Sequence, residues 1–159
     1  MNSQLTTHPE DQPDLMLLLQ QAEQIVADEN DFIANAANLS SLLYHQISQL
    51  NWVGFYFRKG EELVLGPFQG QLACTRIGLG KGVCGTAFKQ KKSLMVNDVL
   101  SFDGHIACDA ASRSEVVVPF YSKALSGVLD IDSPIENRFD FELLRFFEQI
   151  VSIYHTKLG

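Results

Sequence analysis

The spacing of apolar residues changes twice along this chain, and each change limits what the flanking segments can become. From Asp14 to Leu50 the apolar positions recur near the helical period. Leu15, Leu18, Leu19, Ala22, Ile25 and Val26 make one stripe; Phe32, Ala36, Leu39, Leu43 and Ile47 make a second. Asp14 stands where a helix N-cap is expected. At Trp52 the pattern becomes strand-like. In "NWVGFYFRKGEELVLGPF", Trp52, Phe55, Tyr56 and Phe57 favour a sheet and "RKGEE" supplies a turn, which predicts a hairpin. "GLGKGVCGTAFKQKK" reads as a glycine-rich turn leading into a short helix, "SLMVND" as a strand, and residues 98–114 as a long polar loop. "EVVVPFYSK" and "LSGVLDID" are two strands joined by a short link, hence antiparallel. The helical period returns in "DFELLRFFEQIVSIYHTKL", with Leu143, Leu144, Phe147, Ile150, Val151 and Tyr154 on its core face.

Two helices, a run of strands with a short helix inserted, and a closing helix define an α+β domain: a central antiparallel sheet with helices packed mainly on one side. A length of 159 residues suits one such domain. Residues 14–159 carry it, and residues 1–13, with two prolines and no apolar periodicity, read as a flexible leader.

Charge narrows the function. A net charge of −7 and a pI near 4.9 disfavour a nucleic-acid or anionic-membrane surface, which requires a basic field. No apolar run reaches the ~18 residues of a membrane span. The polar, acidic N-terminus lacks the basic and apolar regions of a signal peptide, so a cytoplasmic protein is expected.

The three cysteines are Cys74, Cys84 and Cys108. An odd number in a reducing compartment argues against a structural disulfide framework, and the gaps between them do not match zinc-site spacings, so no metal is expected. Cys108 is the unusual one. It lies in "FDGHIACDAASRSE", a polar stretch where a residue type that usually behaves as a small buried hydrophobe is out of place. Taken alone, the residues favour Cys84 as the reactive thiol. It follows "GKG" near the start of the short helix, where the positive helix end lowers a thiol pKa, whereas Asp109 beside Cys108 raises one.

Three acids accompany the thiols. Glu115 opens one strand, and Asp130 and Asp132 alternate on one face of the next. If those strands pair, the carboxyls converge, and one stays protonated near neutral pH because close like charges resist joint ionisation. Trp52 and Tyr56, four apart on one strand, share a face. His105 is given no catalytic role. "GLGKGVCG" lacks the GK[ST] ending of a phosphate-cradling loop, which sets nucleotide hydrolysis aside.

The blocks "NWVGFYF", "ELVLGPFQG", "GKGVCGTAF", "GHIACDAASRSEVVVP" and "GVLDIDSP" occur in that order. Together they resemble the free methionine-(R)-sulfoxide reductases, a family built on the GAF fold, from about Asp31 to the C-terminus. One departure is "YSKALSGVLDID", whose link lacks the polar glycine turn often found in the family before Ser126. The resemblance implies a thiol oxidoreductase that reduces free L-methionine (R)-sulfoxide through a cysteine sulfenic acid and an intramolecular disulfide. It implies Cys108 as nucleophile, Cys84 as resolving thiol and Cys74 as an auxiliary for disulfide exchange. It places Trp52, Tyr56, Glu115, Asp130 and Asp132 around the substrate. No organic cofactor is expected, only an external dithiol such as thioredoxin, and a homodimer is compatible with the family. On nucleophile identity the resemblance is followed over local charge, because neighbours in sequence do not fix neighbours in space. The competing class is a non-catalytic GAF module that senses a small molecule or redox state, since many GAF domains only bind ligands.

Overall fold

Among the described residues six antiparallel strands form one sheet, and the order in which they pair decides where the acids and aromatics meet. The computed structural model describes residues 13–106, 108 and 110–159. Residues 1–12, nearly all of the expected leader, lie outside the described residues, as does Asp109 with its expected effect on Cys108. Helices α1 (Leu15–Ala27) and α2 (Phe32–Gln46) come first, each opened by an aspartate whose carboxylate accepts from the first turn. Asp14 accepts from the Leu17 amide and Asp31 from those of Ile33 and Ala34. Strands β1 (Trp52–Lys59) and β2 (Glu62–Gly70) make the expected hairpin, turning at Gly60 with φ +63°. Then follow β3 (Arg76–Gly78), α3 (Gly82–Gln90), β4 (Leu94–Val96), β5 (Ser114–Tyr121), β6 (Ser126–Ser133) and α4 (Phe141–His155).

The sheet order is β3-β2-β1-β6-β5-β4, so β1, β6 and β5 lie side by side at its centre. These three strands are buried on both faces, and their period of two sorts the side chains. Val53, Phe55, Phe57, Val116, Val118, Phe120, Leu129 and Ile131 join the large core with α1, α2 and α4. Trp52, Tyr56, Val117 and Val128 point to the other face and pack against Val83, Cys84, Ala87 and Phe88 of α3. The expected one-sided packing therefore describes three helices, and the short fourth covers the opposite face.

Several details differ from the sequence reading. Strand β3 was not foreseen; at three residues it is too short to carry an alternation signal. The loop expected over 98–114 contains a 3-10 turn at Val99–Ser101 and ends one residue early, because Ser114 already pairs with Ser133. On α4, Leu144 is only half-buried, while Phe146, not assigned to the core face, is buried. The β5–β6 link closes without glycine: Ser122 Oγ accepts from the Leu125 amide at 2.9 Å, setting Tyr121 opposite Ser126.

Candidate active site

Pairing of the central strands sets the site in rows. Trp52 on β1 lies opposite Asp132 on β6, and Asp132 lies opposite Glu115 on β5. In the next row on the same face Gly54 lies opposite Asp130, and Asp130 opposite Val117. Three carboxyls and an indole are thus brought onto one patch of sheet by register alone. Gly54 is required there, because a Cβ would overlap the Trp52 ring and the Phe68 side chain. The space left by that missing side chain lets Trp52 stack on Tyr56 and Phe68, with ring centroids 5.9 and 5.3 Å away.

All three acids are buried, with relative exposures of 7% for Glu115, 6% for Asp130 and 8% for Asp132. Their carboxyls respond unequally. Burial, followed by the charge of Asp130, pushes Glu115 well above the carboxylate range, and the same two causes act on Asp132. Asp130 is also raised by burial, but hydrogen bonds from Glu115, Cys84 and Asp132 pull it back, and the charge of His105 adds to that pull. Asp130 is therefore the first of the three to ionise, while Glu115 and Asp132 both keep their protons well above the usual carboxylate range. No amide or hydroxyl donor reaches Asp130 Oδ1 or Asp132 Oδ1 among the described residues.

Cys84 closes the patch from α3. The turn before this helix needs Gly80 and Gly82 at φ +80° and +58°, and Gly85 abuts the Gly78 carbonyl so closely that a Cβ would clash. The helix can thus sit against the sheet with Cys84 in its first turn. Cys84 is buried, and its Sγ lies 4.0 Å from Glu115 Oε2. The expected lowering of its pKa by the helix end is overturned. Burial, then the charges of Asp130, Glu115 and Asp132, drives this thiol well above its ordinary value. The residues' own case for Cys84 as the reactive thiol falls with it.

Cys108 comes from the loop between β4 and β5 and is disulfide-bonded to Cys74, with Cα atoms 5.2 Å apart. Cys84 remains a free thiol. The bond present is thus not the Cys108–Cys84 one that the expected resolving role requires. Cys74 follows β2, and its carbonyl accepts from the Tyr56 hydroxyl at 2.8 Å, so one of the stacked aromatics also holds the backbone of a disulfide cysteine. The Trp52 indole N–H donates to the Gln71 carbonyl at 3.2 Å and fixes the preceding turn.

The loop is anchored where it returns to the sheet. The Arg113 guanidinium pairs with Glu136 and, at 3.7 Å, with Asp98. Its amide donates to Ser133 and its carbonyl accepts from Val99, both at 2.8 Å. Arg113 thereby joins both ends of the Cys108 loop to the end of β6. Ser112 and Asn51 were not singled out from the sequence. The Asn51 amide donates to Ser112 Oγ at 3.0 Å, and Ser112 in turn supports the Asp132 carboxylate. Only their places beside Trp52 and Glu115 could have pointed to them.

One cavity collects these groups. Trp52, Tyr56, Cys84, Cys108, Glu115, Asp130 and Asp132 all line it, leaving Cys74 as the single expected site residue outside the lining. His105 and Ser112 line it as well, as do Ile77 and Ile106, which add apolar wall. Chemically this is a small pocket with an aromatic side, an acidic floor carrying exchangeable protons, and a disulfide sulfur in its wall. No helix among the described residues is long and apolar enough to cross a membrane.

The GAF domain family profile matches residues 26–154. Protein YtsP of Bacillus subtilis is 58% identical over 130 residues, covering 80% of this chain and 80% of that protein. The free methionine-R-sulfoxide reductase of Escherichia coli is 50% identical over 129 residues, covering 80% of this chain and 78% of that enzyme. The structure of fRMsr of Staphylococcus aureus in complex with substrate is similar with a TM-score of 0.88 and 47% identity, covering 93% of this chain and 97% of the other.

Proposed function

Because the chain belongs to the GAF domain family and, within it, to the free methionine-R-sulfoxide reductases, we propose that it reduces free L-methionine (R)-sulfoxide to L-methionine with Cys108 as the attacking thiol. The observation that carries this reading is the Cys74–Cys108 disulfide, one sulfur of which lines a cavity with three buried acids.

The Cys108 thiolate attacks the sulfoxide sulfur while a carboxyl proton goes to the sulfoxide oxygen. Oxygen passes to Cys108 as a sulfenic acid, and methionine leaves as the thioether. The Cys74 thiol then attacks the sulfenic sulfur, water departs, and the disulfide forms. An external dithiol, thioredoxin in the cytoplasm, exchanges through a mixed disulfide and returns both thiols. Two electrons from the dithiol thus end on the methionine sulfur, and the oxygen leaves as water.

Glu115 is the proton donor, since it holds its proton well into the range where an ordinary carboxylate has lost it. Asp130, the acid that ionises first, takes the substrate ammonium together with Asp132. Trp52 and Tyr56 flank the thioether, where sulfur packs well against rings. Cys84, buried and held as the neutral thiol by burial and by the three nearby acids, is a poor nucleophile near neutral pH.

The test supplies racemic free methionine sulfoxide with dithiothreitol or thioredoxin and follows each enantiomer. The (R) form is consumed and methionine accumulates. If neither enantiomer is consumed, the reading fails.

A further inference from the structure

Cys84 has no electron-transfer step in the proposed cycle, yet it is packed against two of the acids. Its Sγ, one oxygen of Glu115 and one of Asp130 all lie within 4.8 Å of one another, and all three residues are buried. They come from α3, β5 and β6, so no short sequence spacing announces them. Zinc bonds of about 2.0–2.3 Å place ligand atoms roughly 3.3–3.8 Å apart in a tetrahedral site, so small side-chain adjustments close this cluster on one ion. A second observation points the same way. The Oδ1 atoms of Asp130 and of neighbouring Asp132, two acids that line the cavity, are buried and have no hydrogen-bond partner among the described residues.

We propose that Cys84, Glu115 and Asp130 form a binding site for a divalent transition metal, with Zn²⁺ the best match, and that metal and substrate exclude each other there. One thiolate and two carboxylates suit a borderline-soft ion, and the cavity leaves the fourth position to solvent. Binding exchanges protons for metal: the Cys84 thiol proton and the Glu115 carboxyl proton pass to solvent as the Zn–S and Zn–O bonds form. No oxidation or reduction takes place. The exclusion rests on the reading of these acids as the substrate's polar anchor; the metal site itself does not.

The disulfide form isolates the question, because Cys84 is then the only thiol in the chain. Chelator-treated oxidised protein is titrated with Co²⁺ and the near-ultraviolet sulfur-to-cobalt charge-transfer band is recorded. The band rises to saturation at one ion per chain and is bleached by Zn²⁺. It is lost in Cys84→Ser, and Zn²⁺ binding weakens roughly tenfold or more in Asp130→Asn. Absence of the band in the oxidised wild type, or its persistence in Cys84→Ser, overturns the site. Exclusion is read in the Cys74→Ser/Cys108→Ser protein, which keeps Cys84 and cannot turn over. Free L-methionine (R)-sulfoxide raises the Co²⁺ titration midpoint there; an unmoved midpoint overturns the exclusion. None of these readouts depends on turnover, so a failed reductase assay and a failed metal titration are separate results.

Discussion

Glu115 and Asp132 are direct cross-strand partners between β5 and β6, two buried carboxyls facing one another where paired strands normally avoid like charge. The arrangement stands because both hold their protons well above the usual carboxylate range, through burial first and the Asp130 charge second.

Stability therefore falls as pH rises. In the unfolded chain these acids ionise near pH ~4, whereas the folded protein keeps its protons to higher pH. Between those limits the folded state binds more protons, so their contribution is complete below the unfolded value and is lost as pH climbs through the folded one. Glu115→Gln, which needs no proton to stay neutral, is expected to gain about 0.5–2 kcal/mol at neutral pH. Urea unfolding at several pH values measures this, and a variant less stable than wild type at pH 8 contradicts it.

The same substitution removes the proton donor. Single-turnover methionine formation in Glu115→Gln is expected to slow by about 10²–10⁴. Wild-type rate declines on the alkaline side as Glu115 deprotonates, and that limb disappears in the variant. An alkaline limb of unchanged position in Glu115→Gln would move the donor role elsewhere.

The thiols separate by where each variant stops. Cys108→Ser yields no methionine. Cys74→Ser yields one equivalent but leaves a sulfenic acid that dimedone traps. Cys84→Ser still forms the Cys74–Cys108 disulfide, which peptide mapping detects. Should Cys84→Ser be the variant that accumulates sulfenic acid, the resolving role returns to Cys84.

Much of this architecture is legible in the sequence, and the failures have physical causes. The period-two alternation placed Asp130 and Asp132 on one face, and Trp52 and Tyr56 on another strand's common face. Both pairs line the same cavity because β1 and β6 are neighbours. That adjacency belongs to topology, on which local pattern is silent. The electrostatics of Cys84 were misjudged for the same reason. The helix end next to it is visible in sequence, but the three acids that outweigh it lie from 31 to 48 residues further on. Sequence neighbours likewise could not pair Cys108 with Cys74, 34 positions earlier.

Tyr56 links aromatic wall and disulfide through its hydrogen bond to the Cys74 carbonyl. Tyr56→Phe keeps the stacked ring and is expected to cost about 0.5–1.5 kcal/mol of stability. It leaves the first methionine release close to wild type and slows disulfide closure, because the Cys74 backbone loses its tether. Stopped-flow quenching that finds both steps unchanged would show the bond to be incidental.

The two faces of the sheet are unequally covered, three long helices on one and a nine-residue helix with loops on the other. Cooperative units within a fold open in order of how much packing holds them. The half built on α1, α2 and α4 is therefore expected to show the slowest amide exchange, and α3 to exchange faster, which hydrogen–deuterium exchange measures. The strand rows that align the acids thus belong to the better-packed half, and the wall that α3 supplies to the cavity belongs to the other.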